Sequence, residues 1–172
     1  MKKRVAIIGA GPAGLMAAEV LSLSDYEVHV YEQKPSAARK FLMAGKTGLN
    51  ISHAEPVAQF IGRYDQAEWL EPWVRQWDAV WIQSWMKDLG IESYIGSSGR
   101  VFPIEMKAAH LLRAWLKRLQ QQGVQFHYRH QCLDLNAAAL TVKDLVSEQV
   151  TVQSFDAIVL ACGPASRSKL GS

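Results

Sequence analysis

The strongest constraint on this chain is one glycine-rich stretch together with what surrounds it. Arg4-Val5-Ala6-Ile7-Ile8 leads straight into Gly9-Ala10-Gly11-Pro12-Ala13-Gly14. A helical stretch follows, and then a short apolar run, Val28 to Tyr31, that ends in Glu32. A lone G-x-G-x-x-G says little. Set after a buried strand, at the start of a helix and ahead of an acidic residue closing the next strand, it points to a βαβ unit that binds a dinucleotide.

Each position has a physical reason. Gly9 permits the tight turn out of the strand, Gly11 lets a pyrophosphate approach the backbone, and Gly14 lets the helix lie close to the strand. Pro12 falls near the first helical position, where its missing N–H is no loss. The first-turn N–H groups, including those of Ala13 and Gly14, then face the phosphates with the positive end of the helix dipole. Ala18 and Leu21 share the sheet-facing side of Gly14. Glu32 lies 23 residues beyond Gly9, near the offset of a carboxylate that accepts from ribose hydroxyls. A carboxylate there repels a 2′-phosphate, which argues against NADP.

At 172 residues, 49% hydrophobic, the chain fits one domain with a real core. Its net charge of +3 is modest and the basic residues are scattered, so no nucleic-acid footprint is read. Cys132 and Cys162, thirty residues apart, form neither a CxxC motif nor a disulfide framework, which makes a reduced, cytoplasmic setting the expectation. The basic start, Met1-Lys2-Lys3-Arg4, superficially resembles a signal peptide. Gly9, Gly11, Pro12 and Gly14 interrupt the apolar stretch after it, so neither a signal nor a membrane span is read.

The pattern along the chain predicts strands at Val5–Ile8 and Val28–Tyr31 around a helix at Pro12–Leu23. Residues 33–53 read as a loop. One helix is expected from Pro72 to Leu89, stopped by Gly90, and another from Pro103 to Gln122, ended by Gly123. Gly96-Ser97-Ser98-Gly99 reads as a turn. Val124–Tyr128, Leu140–Val142 and Val150–Gln153 read as strands, and Phe155–Cys162 as a final buried strand.

That last strand, closing in Ala161-Cys162-Gly163, resembles a segment of two-dinucleotide-binding flavoproteins in which a strand returns beneath the cofactor. With the fingerprint it favours FAD over NAD. Further stretches carry a family resemblance: Arg39-Lys40-Phe41-Leu42-Met43-Ala44-Gly45, Gly48-Leu49-Asn50-Ile51-Ser52-His53, and Gly96 through Pro103 running on to Met106-Lys107-Ala108 and Leu111–Leu116. The ending, Ala161 to Ser166 and Leu170-Gly171-Ser172, adds to them. On these the chain resembles the HI0933-like or YhiN-like bacterial NAD(P)/FAD-dependent oxidoreductases.

The resemblance implies an α/β fold: a Rossmann-like FAD-binding domain of glutathione-reductase type, with a small antiparallel β segment. A largely helical insertion is expected over 54–122. It further implies that residues 1–172 are a C-terminally truncated part of such a protein, without its substrate domain. Cofactor contacts are then expected at Gly9, Gly11, Pro12, Ala13, Gly14, Glu32, Arg39, Lys40, Gly45, Asn50, Cys132, Ala161 and Gly163. Partners implied are a small-molecule substrate and NAD(P)H. Two departures stand out: Thr47 replaces a family glycine, and Pro164 replaces the second glycine after the last strand.

Gly45-Lys46-Thr47 suggests a P-loop, but position 40 is Lys where that motif needs Gly. Arg39 and Lys40 read equally well as pyrophosphate contacts or as a solvated basic loop. His127, His130 and Cys132 suggest a metal site, but strand parity puts 127 and 130 on opposite faces, and no metal is expected. Tryptophans at 69, 73, 77, 81 and 85 repeat every four residues. They read as core or domain packing, with Pro72 separating the first from the rest. Arg100 reads equally as a substrate or flavin contact or as a structural ion pair. No catalytic residue is assigned; in flavin chemistry the ring itself supplies the redox step. Two alternatives remain: an NAD-dependent dehydrogenase domain, and a non-catalytic nucleotide-binding remnant of a truncated gene.

Overall fold

A computed structural model describes residues 2–45, 48–136 and 139–163. Thr47, Pro164 and the family-like ending beyond it lie outside the described residues. The chain divides into two compact units, residues 1–43 with 116–172, and residues 44–115.

The first unit is built on four parallel strands: β1 (Lys3–Ile8), β2 (Tyr26–Glu32), β6 (Gln125–Tyr128) and β10 (Ala157–Leu160), in the order β10-β1-β2-β6. Val5–Ile8 and Val28–Tyr31 are buried, as a parallel sheet covered on both faces requires. Helix α1 (Pro12–Ser22) makes the crossover from β1 to β2 and buries Gly14, Leu15, Ala18 and Glu19. Leu21 is only half-buried.

An antiparallel meander follows: β7 (His130–Leu135), β8 (Ala139–Asp144) and β9 (Val150–Ser154). A bulge between Cys132 and Asp134 shifts its register. Ala6, Ile8, Tyr31, Leu140, Val142 and Phe155 form one buried cluster, shared by the sheet and the meander.

The second unit holds a small antiparallel sheet, β3 (Ser52–His53), β5 (Arg100–Pro103) and β4 (Ser93–Ile95) in the order β3-β5-β4. Its helices are α3 (Val57–Ile61), α4 (Ala67–Gln76) and α5 (Ala79–Asp88). Helix α6 (Ala108–Gln121) begins in this unit and ends in the first.

Four expectations are corrected. Residues 33–53 are not all loop: α2 (Arg39–Ala44) and β3 form within them. The single helix read from Pro72 to Leu89 is two. Pro72 sits inside α4, and the break comes at Trp77–Asp78, where Trp77 leaves the helical region and the Asp78 carboxylate accepts from Trp81 N–H (2.8 Å) as the N-cap of α5. Pro103 ends β5, and Met106 at φ +56° turns the chain before α6 starts. The tryptophan stripe also divides. Trp69, Trp73 and Trp77 are exposed, whereas Trp85 packs edge-on against buried Trp115 (4.8 Å).

The far end of α6 follows the sequence. Gly123 takes φ +86°, and the N–H groups of Gly123 and Val124 return to the carbonyls of Gln120 and Leu119. This is the Schellman closure that a glycine after a helix favours.

Strand parity misplaced one histidine. Arg129, at φ +58°, turns the chain between β6 and β7 and brings the His127 and His130 rings to 5.7 Å. His127 is engaged instead by a short polar chain. The Glu27 carboxylate accepts from His29 Nε2 (2.8 Å), and His29 Nδ1 and His127 Nε2 share one hydrogen bond (3.0 Å). Tyr31 stacks on His127 at 4.5 Å. Among the described residues no group of three or more His, Cys, Asp or Glu is placed to hold a metal.

Burial first, then the neighbouring His29 and His130, push the His127 imidazole down to about 4. The folded protein therefore holds it neutral where the unfolded chain protonates it. The resulting stability is present in full above the unfolded value, near pH 6.5, and is lost as pH falls toward 4. Discounted for solvent at a ring that is only part-buried, the loss is about 1–2 kcal/mol. Urea unfolding across this range is expected to show the slope, and His127→Gln to flatten it.

Candidate cofactor-binding site

The glycine-rich turn is held from three sides. Gly9, at φ +107°, donates to Tyr31 O (2.8 Å). Ala10 N–H donates to Glu32 Oε2 (3.0 Å), while Glu32 Oε1 accepts from Lys34 N–H (2.8 Å). Ala38, itself in the left-handed region, donates to Ala10 O (2.8 Å). Glu32 thus locks the turn to the end of β2 while keeping lone pairs on both oxygens for a further donor.

The three glycines serve different ends. A Cβ at Gly14 would stand 1.9 Å from Gly9 O, and one at Gly9 would stand 2.4 Å from Ala161 O. Both positions are closed by backbone, so glycine there is a packing requirement. A Cβ at Gly11 would meet nothing within 4 Å. Packing leaves room for a side chain at Gly11.

Helix α1 starts beside that open space. Gly11 is its N-cap, with extended backbone and no side-chain cap, and Pro12 takes the first helical position. Leu15 N–H is bonded back to Gly11 O (2.9 Å). The N–H groups of Gly11, Ala13 and Gly14 have no acceptor within the helix, and its first turn carries no acidic residue. Open space, unbonded N–H groups and the positive helix end fit a pyrophosphate. The carboxylate of Glu32 stands at the neighbouring strand end.

Other expected contacts fall in two places. Ala161 lies against the turn, with its Cβ 3.4 Å from the Cβ position at Gly14, and its N–H continues the ladder to Ile8 O (2.8 Å). Gly163 follows at φ +73°. Cys132 sits on β7, packed against the shared core. Arg39 and Lys40 open α2 and are half-buried. Gly45 and Asn50 belong to the second unit. Gly45 is buried there because a Cβ would stand 2.4 Å from Ala108 Cβ; Asn50 is exposed.

Sequence reasoning missed Ala10 and Ala38, whose backbone groups tie the turn down. The signal was present only as small residues at Gly9-Ala10-Gly11 and Ala37-Ala38.

A family model for the HI0933-like protein Rossmann domain matches residues 3–172. The chain belongs to this family. FAD is the dinucleotide that goes with this domain. No curated protein matches in sequence. Among solved structures, the chain is similar to THI4 of Thermovibrio ammonificans (TM-score 0.62, 17% identity, 91% of this chain and 55% of that one). It is similar to a 3-ketosteroid-Δ4-(5α)-dehydrogenase from Rhodococcus jostii RHA1 (TM-score 0.65, 14% identity, 94% and 46%). It is also similar to a flavocytochrome c3 fumarate reductase in its open conformation (TM-score 0.63, 17% identity, 94% and 34%). At these identities the likeness is one of fold, and the chain spans about half or less of each structure's length.

Proposed function

We propose that this HI0933-like domain binds FAD along the cradle from Gly9 to Gly14 and serves a flavin-dependent oxidoreductase. The observation that carries this is the contrast among the glycines: Gly9 and Gly14 are closed by backbone, while Gly11 faces open space beside unbonded helix N–H groups. Bound FAD would supply the redox chemistry, accepting a hydride or electron pair.

This chain's residues do the holding. The N–H groups of Gly11, Ala13 and Gly14 would receive the pyrophosphate, and Pro12 fixes the helix start with no competing donor. Glu32 would accept from the adenosine ribose hydroxyls, and its charge disfavours a 2′-phosphate. Ala161, Cys132 and Gly163 would line the adenosine side. Arg39 and Lys40 would add positive charge, and Gly45 and Asn50 are the further cofactor contacts that the family resemblance implies. A small-molecule substrate and NAD(P)H are the partners of this reading. The relatives named above, a fumarate reductase and a ketosteroid dehydrogenase, support an oxidoreductase. Two free thiols suit a reducing, cytoplasmic setting. No helix among the described residues is long and apolar enough to cross a membrane.

Flavin-fluorescence titration tests the assignment. A charge-assisted hydrogen bond is worth about 1.5–3 kcal/mol, so Glu32→Ala is expected to weaken FAD binding at least about tenfold. It also strands the buried Ala10 N–H, so a lower melting temperature accompanies the loss. An unchanged dissociation constant removes Glu32 from the site. Failure of the unaltered chain to bind FAD at all overturns the proposal.

A further inference from the structure

The chain's two thiols border the same buried cluster behind the cradle. Cys132 and Cys162 are thirty residues apart in sequence, and both are free. On β7, Cys132 packs against the cluster that contains Ile8, and Ile158 of β10 packs against the same cluster. Ile158 and Leu160 share one face of β10, and Cys162 follows two residues past its end. The Cys162 Sγ lies 3.8 Å from Ile8 O. Both thiols therefore lie against the cluster that holds Ile8, the last residue before the glycine-rich turn. Burial first, then the charge of Cys162, and then Asp134, hold the Cys132 thiol above its ordinary value. The backbone beside Cys162 also abuts the turn itself. The Cβ position at Gly9 is 2.4 Å from Ala161 O and 3.3 Å from Cys162 Cα.

We infer that Cys132 and Cys162 are a reversible oxidation site, a dithiol that closes to an intramolecular disulfide and thereby weakens the cradle's hold on FAD. The second half rests on the FAD reading above; the first does not. The oxidant class is a low-molecular-weight disulfide. Exposed Cys162 attacks first as its thiolate, giving a mixed disulfide and one small thiolate. Half-buried Cys132, the harder thiol to ionise, attacks second at the Cys162 sulfur and expels the other small thiolate. The protein's two thiols lose two electrons to the small disulfide, and their two protons pass to the thiolates released. Drawing the Cys162 sulfur toward β7 moves the strand end that closes on Gly9, and with it the turn that presents the Gly11 N–H.

The test uses the full chain, with oxidised glutathione as probe. After incubation and alkylation of remaining thiols, peptide mapping without reductant is expected to show a Cys132–Cys162 link that dithiothreitol removes. A glutathione adduct stable on Cys162, with Cys132 still alkylated, overturns the site. FAD affinity is expected to fall at least about tenfold in the oxidised chain, as one lost charge-assisted contact would give, and to recover on reduction. Cys162→Ser, which removes the thiol that attacks first, is expected to make affinity insensitive to the probe, whereas Cys132→Ala is expected to stop at the glutathione adduct on Cys162. A mapped disulfide with equal affinity in both redox states overturns the coupling. If the reduced chain binds no FAD, the cofactor reading fails, and the disulfide map still decides whether the site exists.

Discussion

Gly11→Ala is expected to leave the fold standing and to empty the cradle, whereas Gly14→Ala breaks the fold. At Gly11 the backbone is extended and an added Cβ meets nothing, so the stability cost stays below about 1 kcal/mol, the range for alanine at an N-cap. On the proposed FAD reading, the same Cβ stands where the pyrophosphate would approach. Losing about two charge-assisted contacts lowers FAD affinity a hundredfold or more. At Gly14 the Cβ falls 1.9 Å from Gly9 O, a backbone atom that cannot turn aside. Helix and strand end must separate, at about 2–4 kcal/mol. Thermal unfolding set beside flavin titration separates the two. Equal losses of stability in both variants would show that Gly11 is structural as well.

The second large effect lies away from the cradle. Glu19 on α1 is buried at 7% exposure, and its carboxylate meets Arg118 of α6 at 2.7 Å. Ser22 and Gln122 bond beside them at 3.0 Å, so this small polar cluster ties α1 to the end of α6. Arg118→Ala leaves a carboxylate in a site that water scarcely reaches, at an expected cost of about 3 kcal/mol. Removing both charges with Glu19→Met and Arg118→Leu is expected to recover most of that, because the desolvation penalty leaves with the ions. Urea unfolding of the single and double variants measures the difference. A single variant within about 0.5 kcal/mol of the parent, the range of an ordinary surface change, would assign the pair no structural weight.

Features set by contacts within a few residues were legible in the sequence. The βαβ unit, its turn and Glu32 at the strand end form a local pattern whose spacing follows from helix and strand repeats. The closure of α6 at Gly123 needed only a residue that adopts positive φ at no cost. Tertiary structure decided the rest. Asp78 competes with a continuous helix by capping the next one, a choice that periodicity cannot weigh against Pro72. The turn at Arg129 brings His127 beside His130, against their parity on an unbroken strand. Gly45 is also held to glycine by Ala108, far along the chain, a packing requirement that no local pattern announces. Cys132 and Cys162 were two unrelated thiols until β7 and the end of β10 came to the cluster that holds Ile8. Sequence patterns register the period of a strand or helix and the freedom of a residue's own backbone. Which distant group fills the space beside a residue depends on how sheet and meander stack, and only the folded chain determines that.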